Sequence, residues 1–440
     1  MKTYKKNKTK QTKEIKKTKE IGEKENFFSK IIKKLKHWFN KKFKKEEKAT
    51  YSLEEVIIIM LFSLGLGFFA CISFVKIFSG GKDYLKVSKD LEKVIDTYYA
   101  IVDNYYGDLD KSKLIDGAVD GMISSVGDNY TTYTNTEDTD SFLETVTGKY
   151  EGIGCYVTTD KDGNVIVYNI FENSPAAKAG LKDYDVIKKL DDIDYSGKTY
   201  TDVSDYIKNK DSSKIKITIL RDNEEKDIIV ERSEVEIPTI STNIVESGNK
   251  TIGYINISLF TSVTDKQFEK ALAKLENQNI EGLVIDVRNN NGGYLSVVTN
   301  IINMFLEKGK PIYQLEDGKG TTITKDTTKT KRSYPVAIVT NGASASASEI
   351  LASAIKESYS KGFVVGTHSY GKGTVQQTMA LPDGSMIKYT VQKWLTPKGN
   401  WINGVGVEPT NTIELSAEYF NTYSTEDDNQ LQEAIKLVSE

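Results

Sequence analysis

From Val56 to Val75 the chain runs VIIIMLFSLGLGFFACISFV, 20 residues without a charge. At 1.5 Å rise per residue a helix of that length spans the ~30 Å hydrocarbon core of a bilayer, and soluble cores rarely call for an apolar run so long. A cleaved signal peptide has a shorter apolar region and a small-residue cleavage site. Phe68, Phe69 and Ala70 before Cys71 also match a lipoprotein cleavage site poorly. An uncleaved signal-anchor over 56–78 fits these features best.

Charge sets the orientation. The formal net charge of -3 conceals a head of residues 1–50 with 19 lysines against six glutamates, a net +13, so the remaining 390 residues carry -16. Lysines before a span keep the head in the cytoplasm and place the body outside. The expectation is a single-pass protein of the cell membrane, with a basic cytoplasmic tail at 1–55 and an extracytoplasmic body. In the head Phe28, Ile31, Ile32, Leu35 and Phe39 share a helical face among lysines. That pattern suits an interfacial helix on membrane lipid and suits a solvated, disordered basic tail as well. Lysine content alone does not support nucleic-acid binding, and none is expected.

Two cysteines, Cys71 and Cys155, build neither a disulfide framework nor a zinc cluster. His37 lies in the head and His368 is the one histidine of the body, so multi-histidine metal sites are excluded there.

The body opens with helical periodicity over 83–146. Leu85, Leu91, Val94, Ile95, Tyr98, Ile101 and Val102 recur at three- and four-residue spacing, and a second helix is predicted at Ser112–Ser125 with Leu114, Ile115, Ala118 and Met122 on its inner face. Over 147–235 the pattern changes to short strands and two short helices. An Asp162-Gly163 turn joins two strands, SPAAKAG fills Ser174–Gly180, a strand follows at Asp185–Leu190, then a helix near Thr201–Asn209 and a strand pair closing at Asp222-Asn223. With Gly152-Ile153-Gly154 ahead of it, this segment resembles a PDZ domain. The resemblance implies that Gly152, Ile153 and Gly154 bind a peptide's terminal carboxylate while the next strand takes up the peptide. Tyr184 and Asp192 stand where the family usually has glycine. Asp tolerates a left-handed turn and Tyr does so only at a cost, so the turn at Tyr184 is expected to be redrawn.

Over 236–415 strands and helices alternate, as in an α/β core with a largely parallel sheet; residues 416–440 read as a C-terminal helical tail. Three segments in this core carry chemistry. In NGASASASEIL, Asn341–Leu351, a strand turns through small residues into a helix. Ser346 with Glu349 fits a capping box, and a hydroxyl at a helix N-terminus can also act beside an anion-stabilising site. In SYGKGTVQ, Ser369–Gln376, glycines flank Lys372. This is a surface loop or a base whose burial, with Val364, Val365 and Val375 as walls, keeps it neutral. His368 is the competing base. In DVRNNNGGYL, Asp286–Leu295, a strand again leads through glycines to a helix, as a tight turn or an anion hole.

In order and wording these segments resemble the carboxyl-terminal processing, or tail-specific, serine peptidases from about Leu85 to the C-terminus. By that match Ser346 is the nucleophile, Lys372 the general base and Gln376 the residue that places the lysine. Oxyanion donors are the amides of Ala347 and of the Gly292-Gly293 turn, Gly293 before Gly292, and Ser344 and Ser348 are structural. The resemblance implies a crotonase- or Clp-protease-like core, protein substrates met at their C-termini, and no metal or nucleotide cofactor. It also admits a homo-oligomer. The Ser–Lys separation of 26 is one residue longer than the family's usual spacing, which places an insertion near Ser358–Lys361. The rival readings are an inactive PDZ-bearing scaffold and a crotonase-like acyl-CoA enzyme; the intact Ser346, Lys372 and Gln376 argue against the first, and the PDZ insertion against the second.

Overall fold

The computed structural model describes residues 33–34, 37, 57–58, 60–67, 89–329 and 332–440. Most of the basic tail, Cys71 and half of the expected span lie outside these residues. Among the described residues no helix is long and apolar enough to cross a membrane. The chain forms two compact units, 1–109 and 110–440. In the first, α1 (Glu92–Asn104) follows the predicted periodicity but has no buried residue, and Leu91, Val94 and Ile95 remain exposed.

In the second unit α2 (Lys111–Ser124) starts at Asp110, whose carboxylate accepts the amides of Ser112 and Lys113. Its expected inner face is not buried either: Ile115 and Met122 are exposed. The helical reading of 83–146 is corrected by a strand, β1 (Thr132–Thr134), before α3 (Thr136–Thr147). Three residues, Thr-Tyr-Thr, give no pattern of their own and are strand only because a partner strand lies beside them.

The PDZ-like segment begins at β2 (Lys149–Gly152). Then come β3 (Cys155–Thr159), β4 (Val165–Ile170), α4 (Pro175–Ala179), β5 (Val186–Leu190), β6 (Ile193–Asp194), α5 (Tyr200–Asn209), β7 (Lys214–Arg221), β8 (Glu224–Glu231) and β9 (Ser233–Glu236). The sheet order is β3-β4-β5-β7-β8 with β6 on β5, and β2 pairs with β9 as a separate two-stranded ribbon at the root of the domain. Local rules account for most of it. Ser174 caps α4 through the Ala177 amide and Gly180 ends it at φ 86°. Asp222 and Asn223 take φ 54° and 63° in the two-residue turn between β7 and β8. The turn at Tyr184 is not redrawn. Tyr184 adopts φ 70° with its ring 70% exposed, because its amide donates to Val167 O (2.8 Å) and the neighbouring Asp185 is locked to Arg221 (2.6 Å).

The core continues with β10 (Ile240–Ser247), β11 (Lys250–Ile257), α6 (Thr264–Glu276), β12 (Gly282–Asp286), α7 (Leu295–Ile302), β13 (Pro311–Asp317), β14 (Gly320–Lys325), β15 (Val336–Thr340), α8 (Ala347–Ser358), β16 (Gly362–Gly366), β17 (Thr374–Ala380), β18 (Met386–Leu395), β19 (Asn411–Thr412), α9 (Ala417–Thr422) and α10 (Asn429–Ser439). One sheet runs β10-β11-β12-β15-β16-β19, parallel from β11 onward. GLVID and VAIVT are buried at every position, as central parallel strands covered on both faces must be, and each large apolar side chain so placed stabilises by roughly 1.5–3 kcal/mol. Phe268, Leu272, Val298, Ile301, Ile350 and Leu351 from α6, α7 and α8 cover one face. Leu431, Ala434, Ile435 and Val438 of α10 cover the other, so the last helix of the expected tail is a layer of the core, while α9 buries no residue. A second, antiparallel sheet, β1-β18-β13-β14 with β17 on β18, stands beside the first. α7 ends at Ile302, where turns carry Phe305 and Leu306 into the core.

Candidate active site

β12 and β15 are parallel neighbours, with Asp286 opposite Val339. Each strand is followed by a turn into a helix, so both strand-to-helix turns emerge side by side at the carboxyl end of the sheet, where open α/β sheets place their sites. Hydrogen bonds tie them together. Ser344 Oγ donates to Val287 O (2.8 Å), Ser348 Oγ to Asn290 O (2.9 Å), and the Ala345 amide to Asn290 O (3.0 Å). The turns approach so closely that a Cβ on Gly292 would stand 2.8 Å from Ser346 Cβ, and one on Gly293 would stand 2.1 Å from Phe260 O. Only glycine fits either place.

Ser346 is half-buried between buried Ala345 and Ala347. Its backbone takes φ 54° and ψ −110°, and its hydroxyl makes no cap hydrogen bond. A non-glycine residue there costs of order 1–3 kcal/mol and persists only where its surroundings enforce it. Glu349 does so. This buried carboxylate accepts the Ser346 amide at one oxygen (2.7 Å) together with the Lys372 amide (2.9 Å). Its other oxygen accepts the Gly371 amide and Ser369 Oγ, both at 2.6 Å. One side chain therefore fixes the serine's backbone and the lysine's loop to each other.

Lys372 is half-buried and its Nζ stands 4.7 Å from the centroid of the Tyr130 ring. Burial first, and the Lys388 charge second, hold its pKa below the ordinary lysine value, against the opposing pull of Glu349 and Asp128. Trp394 Nε1 donates to Lys372 O (2.7 Å) and steadies the loop from β18. Gln376 Nε2 donates to Thr374 Oγ1 (2.9 Å) and Thr390 Oγ1 (3.1 Å). Thr390 Oγ1 in turn donates to Asp128 Oδ2 (2.5 Å).

Ser346, Ala347, Gly293, Lys372 and Gln376 all line one cavity of about 370 Å³, walled by Ile350, Val375 and Trp394. Val364 and Val365, expected as walls, are spent in the two hydrophobic cores instead. His368 is exposed and lines none of this cavity. Gly292 is corrected as an oxyanion donor: its amide already donates to Asn290 Oδ1 (2.8 Å). Among the described residues no acceptor takes the amides of Gly293 and Ala347, which leaves both open toward an anion. Glu349, Asp128, Thr390 and Tyr130 were not legible as site residues. Glu349 reads as half of a capping box, and an Asp-Asn-Tyr turn far from the motifs carries no periodic signal.

In the PDZ-like segment Gly152, Ile153 and Gly154 form the turn that leads into β3. Gly154 takes φ 79°, and a Cβ there would lie 2.3 Å from Ser174 Cβ. β3 is an outer strand of its sheet, with α5 packed against it. Ile153 is buried in the domain core, so its side chain forms no open pocket. Burial pushes the neighbouring Cys155 thiol up to about 12, which makes it an inert thiol.

Comparison with known proteins gives three family matches. Residues 251–413 match peptidase family S41, 152–231 a PDZ domain, and 74–138 the N-terminal domain of the activating protease CtpB. The carboxy-terminal processing protease CtpB of Bacillus subtilis (strain 168) is 39% identical over 352 residues, covering 79% of this chain and 72% of that protein. A probable CtpA-like serine protease of Staphylococcus aureus (strain N315) is 34% identical over 328 residues, 74% of this chain and 65% of the relative. Among solved structures, a photosystem II D1 C-terminal processing protease aligns over 76% of this chain and 87% of its own, at 25% identity and a TM-score of 0.44.

Proposed function

Because the chain belongs to peptidase family S41, as a carboxyl-terminal processing serine protease, we propose that Ser346 and Lys372 form its catalytic dyad and that the PDZ domain presents substrate C-termini to it. The observation that carries this reading is the shared cavity, in which Ser346, a depressed Lys372 and two uncommitted amides face one space. Neutral Lys372 Nζ takes the proton of Ser346 Oγ as the oxygen bonds to the scissile carbonyl carbon. The oxyanion of the tetrahedral intermediate rests on the amides of Gly293 and Ala347. When the C–N bond breaks, the lysine returns its proton to the leaving amine; water, deprotonated by the same base, then attacks the acyl carbon, and the Ser346 Oγ–C bond breaks as the lysine gives that proton to Oγ. Gln376 orients the lysine throughout.

For capture, the backbone amides of the Gly152–Gly154 turn hold the terminal carboxylate and β3 pairs with the peptide. The uncharged run at 56–75 anchors the protein in the cell membrane with the lysine-rich head in the cytoplasm, so substrates are extracytoplasmic proteins. The test is cleavage of a peptide by Ser346→Ala and Lys372→Ala. Each is expected to lose at least ~10³-fold in kcat, and the double variant little more, because the pair acts as a unit. His368→Ala should keep wild-type activity; a dead His368→Ala beside an active Lys372→Ala would reverse the assignment of the base.

A further inference from the structure

We propose that Asp128, which lies outside the segment matching the peptidase family, is a positioning residue of the catalytic site: through Thr390 it sets the direction of the Gln376 amide and so the orientation of Lys372. The inference rests on the dyad reading above and extends it to a residue about 220 positions upstream of the serine.

A chain of hydrogen bonds fixes the steps from Asp128 to Gln376, and Gln376 and Lys372 line one cavity. Thr390 has one hydroxyl proton, and it goes to Asp128 Oδ2 (2.5 Å). Thr390 Oγ1 can then only accept from Gln376, which decides that Gln376 turns its NH₂, not its carbonyl oxygen, toward Thr390 (3.1 Å) and Thr374 (2.9 Å). Among the described residues no donor reaches Gln376 Oε1, so the amide keeps its acceptor for the cavity it shares with Lys372. A lysine acting as base needs its lone pair on the nucleophile and its N–H groups on acceptors, and Gln376 Oε1 is such an acceptor.

Asp128 is itself held firmly. Its other partners are Thr131 Oγ1 (2.6 Å) and the Tyr130 amide (3.2 Å), and Thr131 Oγ1 also takes the Thr390 amide (3.3 Å). Burial raises the Asp128 pKa, but the Thr131, Thr390 and Tyr130 hydrogen bonds outweigh it and hold the carboxyl below its usual range. The same turn lays the Tyr130 ring over Lys372 Nζ. β1 then continues the segment as the partner of β18, the strand that carries Thr390 and Lys388. The N-terminal segment thus completes the site from the second sheet's edge.

The experiment uses the full chain and a dye-quenched casein, with kcat and KM followed against pH for wild type, Asp128→Asn, Thr390→Val, Thr390→Ser and Lys372→Ala, and thermal melting recorded for each. The groups facing Lys372 are Glu349 from α8, Lys388 from β18, and Asp128 and Tyr130 from the turn before β1. Asp128→Asn removes a negative charge that favours the lysine's proton, so the acid limb of kcat should move to lower pH. Its plateau should fall about 10- to 100-fold with KM nearly unchanged, the size of loss expected when a catalytic group is displaced by about 1 Å. Thr390→Val should lower the plateau alike while leaving the limb in place, since the charge remains. Thr390→Ser should restore most of that loss. An unmoved limb in Asp128→Asn, a wild-type plateau in either variant, or equal losses in Thr390→Val and Thr390→Ser would overturn the positioning role. Activity surviving Lys372→Ala would instead overturn the dyad, and the positioning role with it.

Discussion

Glu349 receives four donors, among them the backbone amides of Ser346 and Lys372. Hydrogen bonds to a charged group are worth about 1.5–3 kcal/mol each, and a buried donor left without an acceptor costs a further 1–3 kcal/mol. Glu349→Gln replaces an acceptor oxygen with an NH₂ that faces donors. It is expected to destabilise by about 2–4 kcal/mol, read from the urea midpoint, and to lower kcat more than KM because the strained φ of Ser346 loses its clamp. In the sequence this residue was visible only as the partner of a helix cap. The same four letters, Ser-Ala-Ser-Glu, fit a capping box and the clamp that ties Ser346 to the Lys372 loop. What separates the two is the three-dimensional approach of the Lys372 loop, which no local pattern encodes.

Elements show the same division. The hairpin at Asp162-Gly163 was legible because its signal is local, an Asp-Gly turn whose glycine takes φ 82°. β1 was not, because Thr-Tyr-Thr is strand only by pairing with β18. The inner faces predicted for α1 and α2 follow the right period yet stay exposed, so periodicity located those helices without saying what covers them. At the turn before β5 the expectation failed in the other direction. Tyr184 keeps the left-handed conformation that a glycine would adopt freely, held by Val167 O and the Asp185–Arg221 pair. The left-handed region costs a side-chain-bearing residue about 1–2 kcal/mol, and glycine gives back part of the gain as entropy. Tyr184→Gly should therefore stabilise by about 0.5–1 kcal/mol, seen as a higher urea midpoint for the PDZ transition, with the exposed ring contributing little to oppose it.

At the scale of the molecule, three segments match separate family models: the N-terminal one carries the 128–134 turn, the core carries Ser346 and Lys372, and the PDZ domain has an outer strand beside a glycine turn. If that turn reads terminal carboxylates, amidating a substrate's C-terminus should slow its cleavage by about one to two decades at an unchanged scissile bond, as loss of ~1.5–3 kcal/mol of charge-assisted binding implies. Equal rates for free and amidated ends would separate this PDZ domain from C-terminus recognition while leaving the dyad intact. The proposed dyad depends on one property, a Lys372 whose pKa burial and the Lys388 charge hold below the ordinary lysine value. The direct measurement is kcat/KM against pH, with chemistry limiting, for the wild-type enzyme and Lys372→Ala. A depressed base predicts a rate that climbs as pH rises through a single apparent pKa below ~10.4, and a climb that disappears with the lysine. A wild-type profile flat from about pH 5 to 10, or a Lys372→Ala enzyme that retains both the rate and the climb, would contradict it.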